Sequence, residues 1–492
     1  MTMDQRTSST RTSGARAPHR SLFGTLLTAS VLAGGAVQVA AAQDEAEDPA
    51  PAAAAPAAPP LAIRAQRVIV RPGHEIENAV VLVRDGRIVA VGEDLDVPEG
   101  AETLEGAVVC AGFMDPWSVA GIESGSARSS SSDASVMAAD VIDPYGSEDD
   151  LEELVAAGVV ATRSQIATGA AVSGIDVVLS TASADAMIGD AALSTSLGVV
   201  RGADGPVTFE LLGPGRLDPI DRVGQIDKLV SELTAGAKYG TDVARYERDL
   251  AEWEKAIAEK EEELEEDFKK AKKARDKKVA DAEEKGKEFK EKSYKEDKRP
   301  RPPKLDAEKA MFARVVNGEI PLVVTANRAL EIRELLRLTR PFTRMRMVMA
   351  GGASALTAAD DIAARGIPVI VVPTPTNVAG PVTELNPGLA LAAELHERGV
   401  EVLIGSGARS SLASRDLALL AALAVGHGLD RDAALHAITH GPARAFDVAD
   451  HIGSVARGKR AELIVLSGDP LASSTRVLAT VSGGGVAYRA EN

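Results

Sequence analysis

The sequence predicts an α/β protein organised around a parallel sheet, and three observations carry that expectation. From about residue 150 to residue 425, short aliphatic runs alternate with amphipathic segments, the rhythm of repeated strand–helix units. Hydrophobic residues make up 45 % of the chain but aromatics only 3 %, so the core has to be layered mainly from aliphatic side chains. On either side of that body lie short β-runs separated by turns, one set towards each end. The 492 residues suffice for two or three domains with a large core. A formal charge of −17 argues against nucleic acid as a partner, because its phosphates would be repelled. One cysteine leaves no room for an internal disulfide or a multi-cysteine zinc site.

The first residues read as an export signal rather than as part of the fold. Arg6, Arg11, Arg16 and Arg20 precede an apolar stretch from Leu22 to Val39, and Ala40-Ala41-Ala42 supplies a small-residue cleavage site. Residues 1–42 are therefore expected to be removed, leaving an exported, periplasmic or extracellular protein with no membrane span. Its charge would be −20, since the signal carries four Arg and one Asp. Residues 43–60 follow as an Ala/Pro-rich tether, stiff and extended, without a core of its own.

Taken in order, 61–110 reads as the first part of a small β unit. Ala65–Val70 and Asn78–Val83 are strands around an Arg71-Pro-Gly-His74 turn, and Asp85-Gly86 is a tight-turn signal leading into the strand Arg87–Val91. Thr103–Val109 is a further strand. The body spans 111–452. Leu151–Val160 reads as a helix running into a strand, and Gly174–Leu179 as a strand. Ile320–Val324, Arg344–Ala350, Ile367–Val372 and Val400–Ile404 are strands, and helices are expected at Ala329–Leu338, Ala355–Arg365, Leu389–Arg398 and Ser414–Val425. Residues 453–492 return to strands at Ala461–Leu466, Val477–Val481 and Gly485–Tyr488. The two β segments flank the body, which invites one composite β-sandwich built from both ends.

A long charged helical insertion, 239–305, interrupts the body. Arg245 to Arg299 holds 18 basic and 19 acidic residues, a net of −1, so the negative charge belongs elsewhere. Tyr246, Leu250, Trp253, Ile257, Leu264, Phe268 and Ala271 recur at helical spacings and form one narrow apolar seam. Two readings stand: a coiled-coil arm that contacts a partner, or a solvated helix supported by Glu–Lys pairs one turn apart.

Several segments resemble the amidohydrolase superfamily, in particular an exported, imidazolonepropionase-like subgroup. "VVLVRDGRIVAVG" (Val80–Gly92) and "AVVCAGFMDPW" (Ala107–Trp117) are similar to the way such chains open. "GSVARGKRAELIVL" (Gly453–Leu466) is similar to their closing motif, and "GEIPLVVTANRALEIRELLRL" (Gly318–Leu338) to their middle. The resemblance implies a TIM-like (β/α)8 barrel with the composite β-sandwich appended. It also implies hydrolysis of C–N bonds other than peptide bonds, in cyclic amide-like substrates. Zinc or another divalent metal would be the cofactor, held by an H-x-H after strand one, a His after strand five, a His after strand six and an Asp after strand eight.

This sequence departs from that ligand set at each of these positions. Asp115-Pro116-Trp117-Ser118-Val119 stands where Asp-x-His-x-His would be, and neither Trp117 nor Val119 can ligate a metal. Strand five reads Val324-Thr325-Ala326-Asn327-Arg328, strand six ends Met349-Ala350-Gly351-Gly352, and Gly405-Ser406-Gly407 stands at strand eight. No histidine occurs between His74 and His396. His436 and His440 have a metal-compatible spacing, but on the last helical stretch and without a carboxylate close in sequence.

The expectation is therefore a chain without cofactor and without a confident catalytic residue. Asp115, Trp117, Thr325, Asn327, Arg328 and Ser406 are the candidate pocket, able to line a site for a small ligand. In the plainer reading, Asp115 caps the loop after strand one and Asn327 caps the helix that begins near Ala329. No phosphate-loop motif and no nucleophile elbow are present. Two functions follow: a catalytically degenerate hydrolase, or a non-catalytic ligand-binding subunit in a homo- or hetero-oligomer with an intact amidohydrolase relative.

Overall fold

The computed structural model describes residues 60–122, 134–143, 145, 147–166, 172–182, 187–196, 219–284, 299–373 and 388–491. The expected export signal and nearly all of the tether lie outside these residues. Among the described residues, no helix is long and apolar enough to cross a membrane.

Strands β1 (Leu61–Arg71), β2 (His74–Arg84) and β3 (Arg87–Gly92) form an antiparallel meander, and β4 (Glu102–Ala111) pairs parallel to β1. The β2–β3 connection is Asp85-Gly86, with φ of +50° and +75°. Two consecutive positive φ values give the turn whose twist matches a two-residue hairpin, which is why Asp-Gly serves there.

Gly112 carries the chain into a second sheet, and a Cβ at that point would lie 2.2 Å from Val160 Cγ1. Strand β5 (Phe113–Ser118) follows, then helix α1 (Glu148–Ala156), β6 (Val159–Ser164), β7 (Val172–Ser180) and β8 (Met187–Ser196). Helix α2 (Pro219–Glu284) comes next, with α3 (Ala307–Asn317), β9 (Leu322–Ala326), α4 (Ala329–Leu338), β10 (Met347–Gly351), α5 (Ala359–Ala364) and β11 (Val369–Val371). Helix α6 (Leu391–Glu397), β12 (Val402–Ile404), α7 (Leu417–Gly426), α8 (Arg431–Ala437) and α9 (His440–Ala445) complete the body.

Strands β5 to β12 form one eight-stranded sheet in strict chain order. Its two ends meet: Ala408 N–H donates to the Trp117 carbonyl at 2.9 Å, and Ser406 N–H donates to Asp115 Oδ1 at 3.1 Å. This is the TIM-like barrel, with one difference from eight identical units. β7 runs antiparallel to both β6 and β8, so β6–β7–β8 is an antiparallel meander. The remaining pairs, β5–β6 and β8 through β12, are parallel.

Strands β9 to β12 read LVVTA, MVMAG, VIV and VLI and are almost wholly buried, as expected where helices cover one face and side chains fill the other. Each fully buried Val, Leu or Ile contributes about 1.5–3 kcal/mol, so these four short strands anchor the body. Helix α2 begins well ahead of residue 239. Its first turns bury Ile226, Leu229 and Leu233 against the barrel layer, and Gly236 lets Phe312 of α3 approach, a Cβ there meeting Phe312 Cβ at 2.5 Å. Farther along, the Arg299 guanidinium lies 6.0 Å over the Trp253 ring, which brings the returning chain back to the helix.

Strands β13 (Leu463–Leu466), β14 (Val477–Ser482) and β15 (Gly485–Arg489) join the first four in one continuous sheet, ordered β15-β14-β13-β4-β1-β2-β3. The composite β unit expected from both ends is thus a single curled sheet. The curl brings its hairpin tips together: a Cβ on Gly484 would lie 2.4 Å from Gly86 Cα. Its own core includes Ile63, Val81, Val109, Leu463, Val465 and Val481. The opposite faces of β4 and β13, through Val108, Cys110, Ile464 and Leu466, pack on the barrel.

Candidate functional site

The C-terminal ends of the parallel strands are where this architecture places chemistry, because the loops that follow the strands converge there. At β5 the local sequence Asp-Pro-Trp-Ser ends the strand, and every residue of β5 is buried. Asp115 Oδ1 accepts from Trp117 N–H at 2.9 Å and from Ser406 N–H at 3.1 Å, and Oδ2 accepts from Ser414 Oγ at 2.6 Å. Ser406 Oγ in turn donates to the Trp117 carbonyl at 3.0 Å. Ser414 spends its single proton on Asp115, so Ser118, 2.9 Å away, is the donor to Ser414. Ser118 Oγ also accepts from Ala120 N–H, whose carbonyl accepts from Ser164 Oγ at 2.6 Å. The result is a buried web of hydroxyls fastening β5 to β6, to the end of β12 and to the turn before α7.

Burial pushes the Asp115 carboxyl above the usual aspartate range, against the opposing pull of its hydrogen bonds from Ser406, Ser414 and Trp117. The plainer expectation for Asp115, a cap on the loop after strand one, describes one of its bonds; the others reach across the barrel closure. Trp117 is buried, and a Cβ on Gly405 would come within 3.0 Å of Trp117 Cβ. Its indole Nε1–H, also buried, has no hydrogen-bond partner among the described residues.

The six expected pocket residues fall into two groups. Asp115, Trp117 and Ser406 are in direct contact at the β5–β12 closure. Thr325, Asn327 and Arg328 lie at the end of β9, half a sheet away in strand order. Thr325 is buried in the strand. Asn327 does not cap α4: that position is Arg328, whose N–H donates to Glu331 Oε2 at 3.3 Å. Asn327 holds the loop after β10 instead, its Oδ1 accepting from Ala353 N–H and its carbonyl from Ser354 N–H. Gly351, at φ +90°, makes room for it; a Cβ there would lie 2.4 Å from Asn327 Oδ1. Helix α4 begins directly after Arg328, so the side chain that matters for the loop sits one residue too early to cap.

Sequence reasoning missed a second buried constellation beside the first. Arg163 of β6 and Asp176 of β7 are both essentially inaccessible and ion-paired, with Arg163 Nε donating to Asp176 Oδ2 at 2.9 Å. Arg163 also donates to the Pro116 carbonyl at 3.0 Å and lies 5.2 Å over the Phe446 ring. The legible signal is one charge of each sign inside two otherwise uncharged, largely aliphatic strands, VVATRS and VSGIDVVLS. The Ser-rich run 124–132 lies outside the described residues.

These residues do not fit a divalent ion. The indole nitrogen of Trp117 has its lone pair in the ring, Val119 has none, and Asp115 is engaged with protein donors. Among the described residues no group of three or more His, Cys, Asp or Glu side chains is placed to hold a metal. His436 and His440 do come together, with ring centroids 5.7 Å apart, and Glu401 Oε1 lies 3.3 Å from His436 Nε2. That carboxylate comes from the residue before β12, far away in sequence. It also binds the Arg444 guanidinium, which disfavours a cation beside it. Nor is Cys110 a nucleophile, since burial pushes its thiol up to about 12.

Comparison with known proteins agrees with this architecture. Residues 258–487 match the model of the amidohydrolase family, from within α2 into β15. An amidohydrolase structure from Thermotoga maritima MSB8 is similar over 87 % of this chain and 100 % of its own, with 22 % identity and a TM-score of 0.63. A prolidase complexed with N-methylphosphonate-L-proline (15 % identity, TM-score 0.49, 88 % and 100 % covered) is a more distant likeness. So is molinate hydrolase (14 % identity, TM-score 0.49, 87 % and 94 % covered). No curated protein matches. The eight-stranded closed sheet in chain order and the sheet shared by both chain ends give this chain a TIM-like barrel fold, and the stretch from within α2 into β15 is similar to the amidohydrolase family.

Proposed function

We propose that this chain is a catalytically degenerate amidohydrolase, a ligand-binding subunit or the partner of an intact relative rather than a hydrolase in its own right. The observation that supports this reading most is the β5–β12 closure. Where the superfamily presents metal-ligating imidazoles, this chain has a buried Trp117, and the neighbouring Asp115 carboxylate is turned inward onto Ser406, Ser414 and a backbone N–H. Conversion of a metal centre into a hydroxyl web keeps the barrel closed without an ion. It also leaves no activated water, the nucleophile that the superfamily reaction needs. In this reading the sequence around the lost ligands was rebuilt rather than eroded: Gly405 is small where Trp117 is large.

The test is metal content and turnover on the purified mature protein. Elemental analysis after incubation with zinc and gel filtration should find far less than one ion per chain. A panel of lactams, hydantoins and N-acyl dipeptides should not be hydrolysed. One or two zinc ions per chain, or turnover of any panel member that Asp115→Asn abolishes, would overturn the proposal in favour of a hydrolase of non-peptide C–N bonds with a divergent site.

A further inference from the structure

The opposite end of the barrel carries a feature that the β5–β12 closure does not explain. Pro321, Arg346, Pro368 and Glu401 each stand just before β9, β10, β11 and β12, so the surface they share is the N-terminal face of the sheet. A cleft of about 710 Å³ opens there, a volume within the range of small-ligand sites. Five arginines and two carboxylates line it, a local charge of +3 on a chain whose formal charge is −17.

The arginines are not equally engaged. Arg346 is paired with Asp447 and Arg444 with Glu401. Arg365, at the end of α5, caps α4, donating to the Leu336 carbonyl at 2.9 Å and to Thr339 Oγ1 at 3.0 Å. Among the described residues the Arg344 guanidinium reaches only the neutral Asn317 Oδ1, at 2.9 Å. Arg340 makes no hydrogen bond or ion pair among the described residues. Arg340, Arg344 and Arg365 therefore converge on the cleft without a bound carboxylate. Burial lowers the proton affinity of Arg365, and the charge of Arg340 lowers it further. Helix C-termini favour cations, which accounts for Arg365 beside α4 and in part for Arg340 directly after its C-cap Thr339, but not for Arg344 farther along the loop.

We propose that this cleft binds a small organic molecule bearing a multiply charged oxyanion, phosphate or polycarboxylate, held by Arg340, Arg344 and Arg365. Guanidinium forks match both kinds of oxyanion, and an anion seated among them relieves the mutual repulsion that the free cleft carries. Phe342, Met345 and Ile367 offer apolar wall to the organic part. The site is at the far end of the barrel from Asp115 and holds whether or not the chain hydrolyses anything.

The test is calorimetric titration of the mature full-length chain with pyrophosphate and, separately, with citrate, at constant ionic strength. Saturable binding of either, weakened about tenfold or more in Arg340→Glu and in Arg344→Glu, is the expected result, each removing a charge-assisted contact. Arg415→Glu, an exposed arginine paired with Glu153 elsewhere, should bind as the parent does. Which of the two anions binds more tightly identifies the headgroup. No saturable binding of either anion would overturn the proposal. So would an equal loss in Arg415→Glu, or binding of poly-glutamate alone, which would mark a protein-docking surface.

Discussion

The two ends of the barrel solve the problem of polar groups in opposite ways. At the C-terminal end of β5, each carboxylate oxygen of Asp115 has a donor, and Ser118, Ser164, Ser406 and Ser414 extend the network to neighbouring segments. At the N-terminal end, three guanidinium groups share a cleft and have no carboxylate bound among the described residues. The first arrangement is inward-facing and stabilises the fold. The second is outward-facing and leaves charge for something else to neutralise. This reverses the usual division in such barrels, where the N-terminal face carries stability and the C-terminal face carries chemistry. Stability and binding in this chain should therefore respond to different substitutions, and that is open to experiment.

The largest effect is expected from Arg163→Met. It strips Asp176 of its buried counter-ion and leaves the Pro116 carbonyl without its donor. Breaking one side of a buried pair costs about 3–5 kcal/mol. Urea or thermal unfolding monitored by circular dichroism should show that loss. A double change to Arg163→Met with Asp176→Leu should recover much of it, because the uncompensated charge goes too. If the single change costs less than about 1 kcal/mol, the buried pair is not what ties β6 to β7.

Asp115 is the next test. Asp115→Ala leaves Trp117 N–H, Ser406 N–H and Ser414 Oγ without their acceptor, and about 2–4 kcal/mol of stability should be lost. Asp115→Asn keeps an acceptor and the volume, so it should cost less. The pH dependence distinguishes them further. The folded-state pKa of Asp115 is raised, so the folded protein holds this proton more tightly than the unfolded chain. Stability from this group is therefore complete below the ordinary aspartate range and is lost as pH rises towards the raised value, the reverse of a salt-bridged aspartate. The Asn variant should lack that slope, apart from the part due to Glu462, whose carboxyl burial also raises. Parallel pH–stability curves for parent and Asn variant would show that Asp115 titrates normally.

How much of this was legible in the sequence depends on how local each feature is. β9 to β12 could be placed because burial on both faces writes a continuous apolar run, which needs no knowledge of neighbours. β8, MIGDAALSTS, mixes Gly, Asp and small residues, and its strand character comes from pairing with β7 and β9. The reversal of β7 was invisible because a period of two has no direction. Asp115 and Trp117 stand out by their place in a motif. Ser414 does not, since it lies 299 residues from the carboxylate it serves. Glu401, which meets His436 from 35 residues upstream, was hidden for the same reason. The root of α2 is not legible because Ile226, Leu229 and Leu233 precede the charged segment that marks the helix.

The smallest effect on stability is expected at the other end of the barrel, and its smallness is the point. Arg340 is exposed, lies beyond the end of α4 and makes no hydrogen bond or ion pair among the described residues that Arg340→Glu would break. The change should move the unfolding free energy by no more than about 0.5 kcal/mol. It should even ease repulsion on Arg365, whose charged form Arg340 disfavours. Anion binding, by contrast, should fall steeply. A destabilisation as large as that of Asp115→Ala would mean that Arg340 is part of the scaffold and that the two ends are not functionally distinct. Unchanged stability with lost binding would place the protein's working surface at the N-terminal face, because only a residue outside the fold's own network can be reversed in charge without cost.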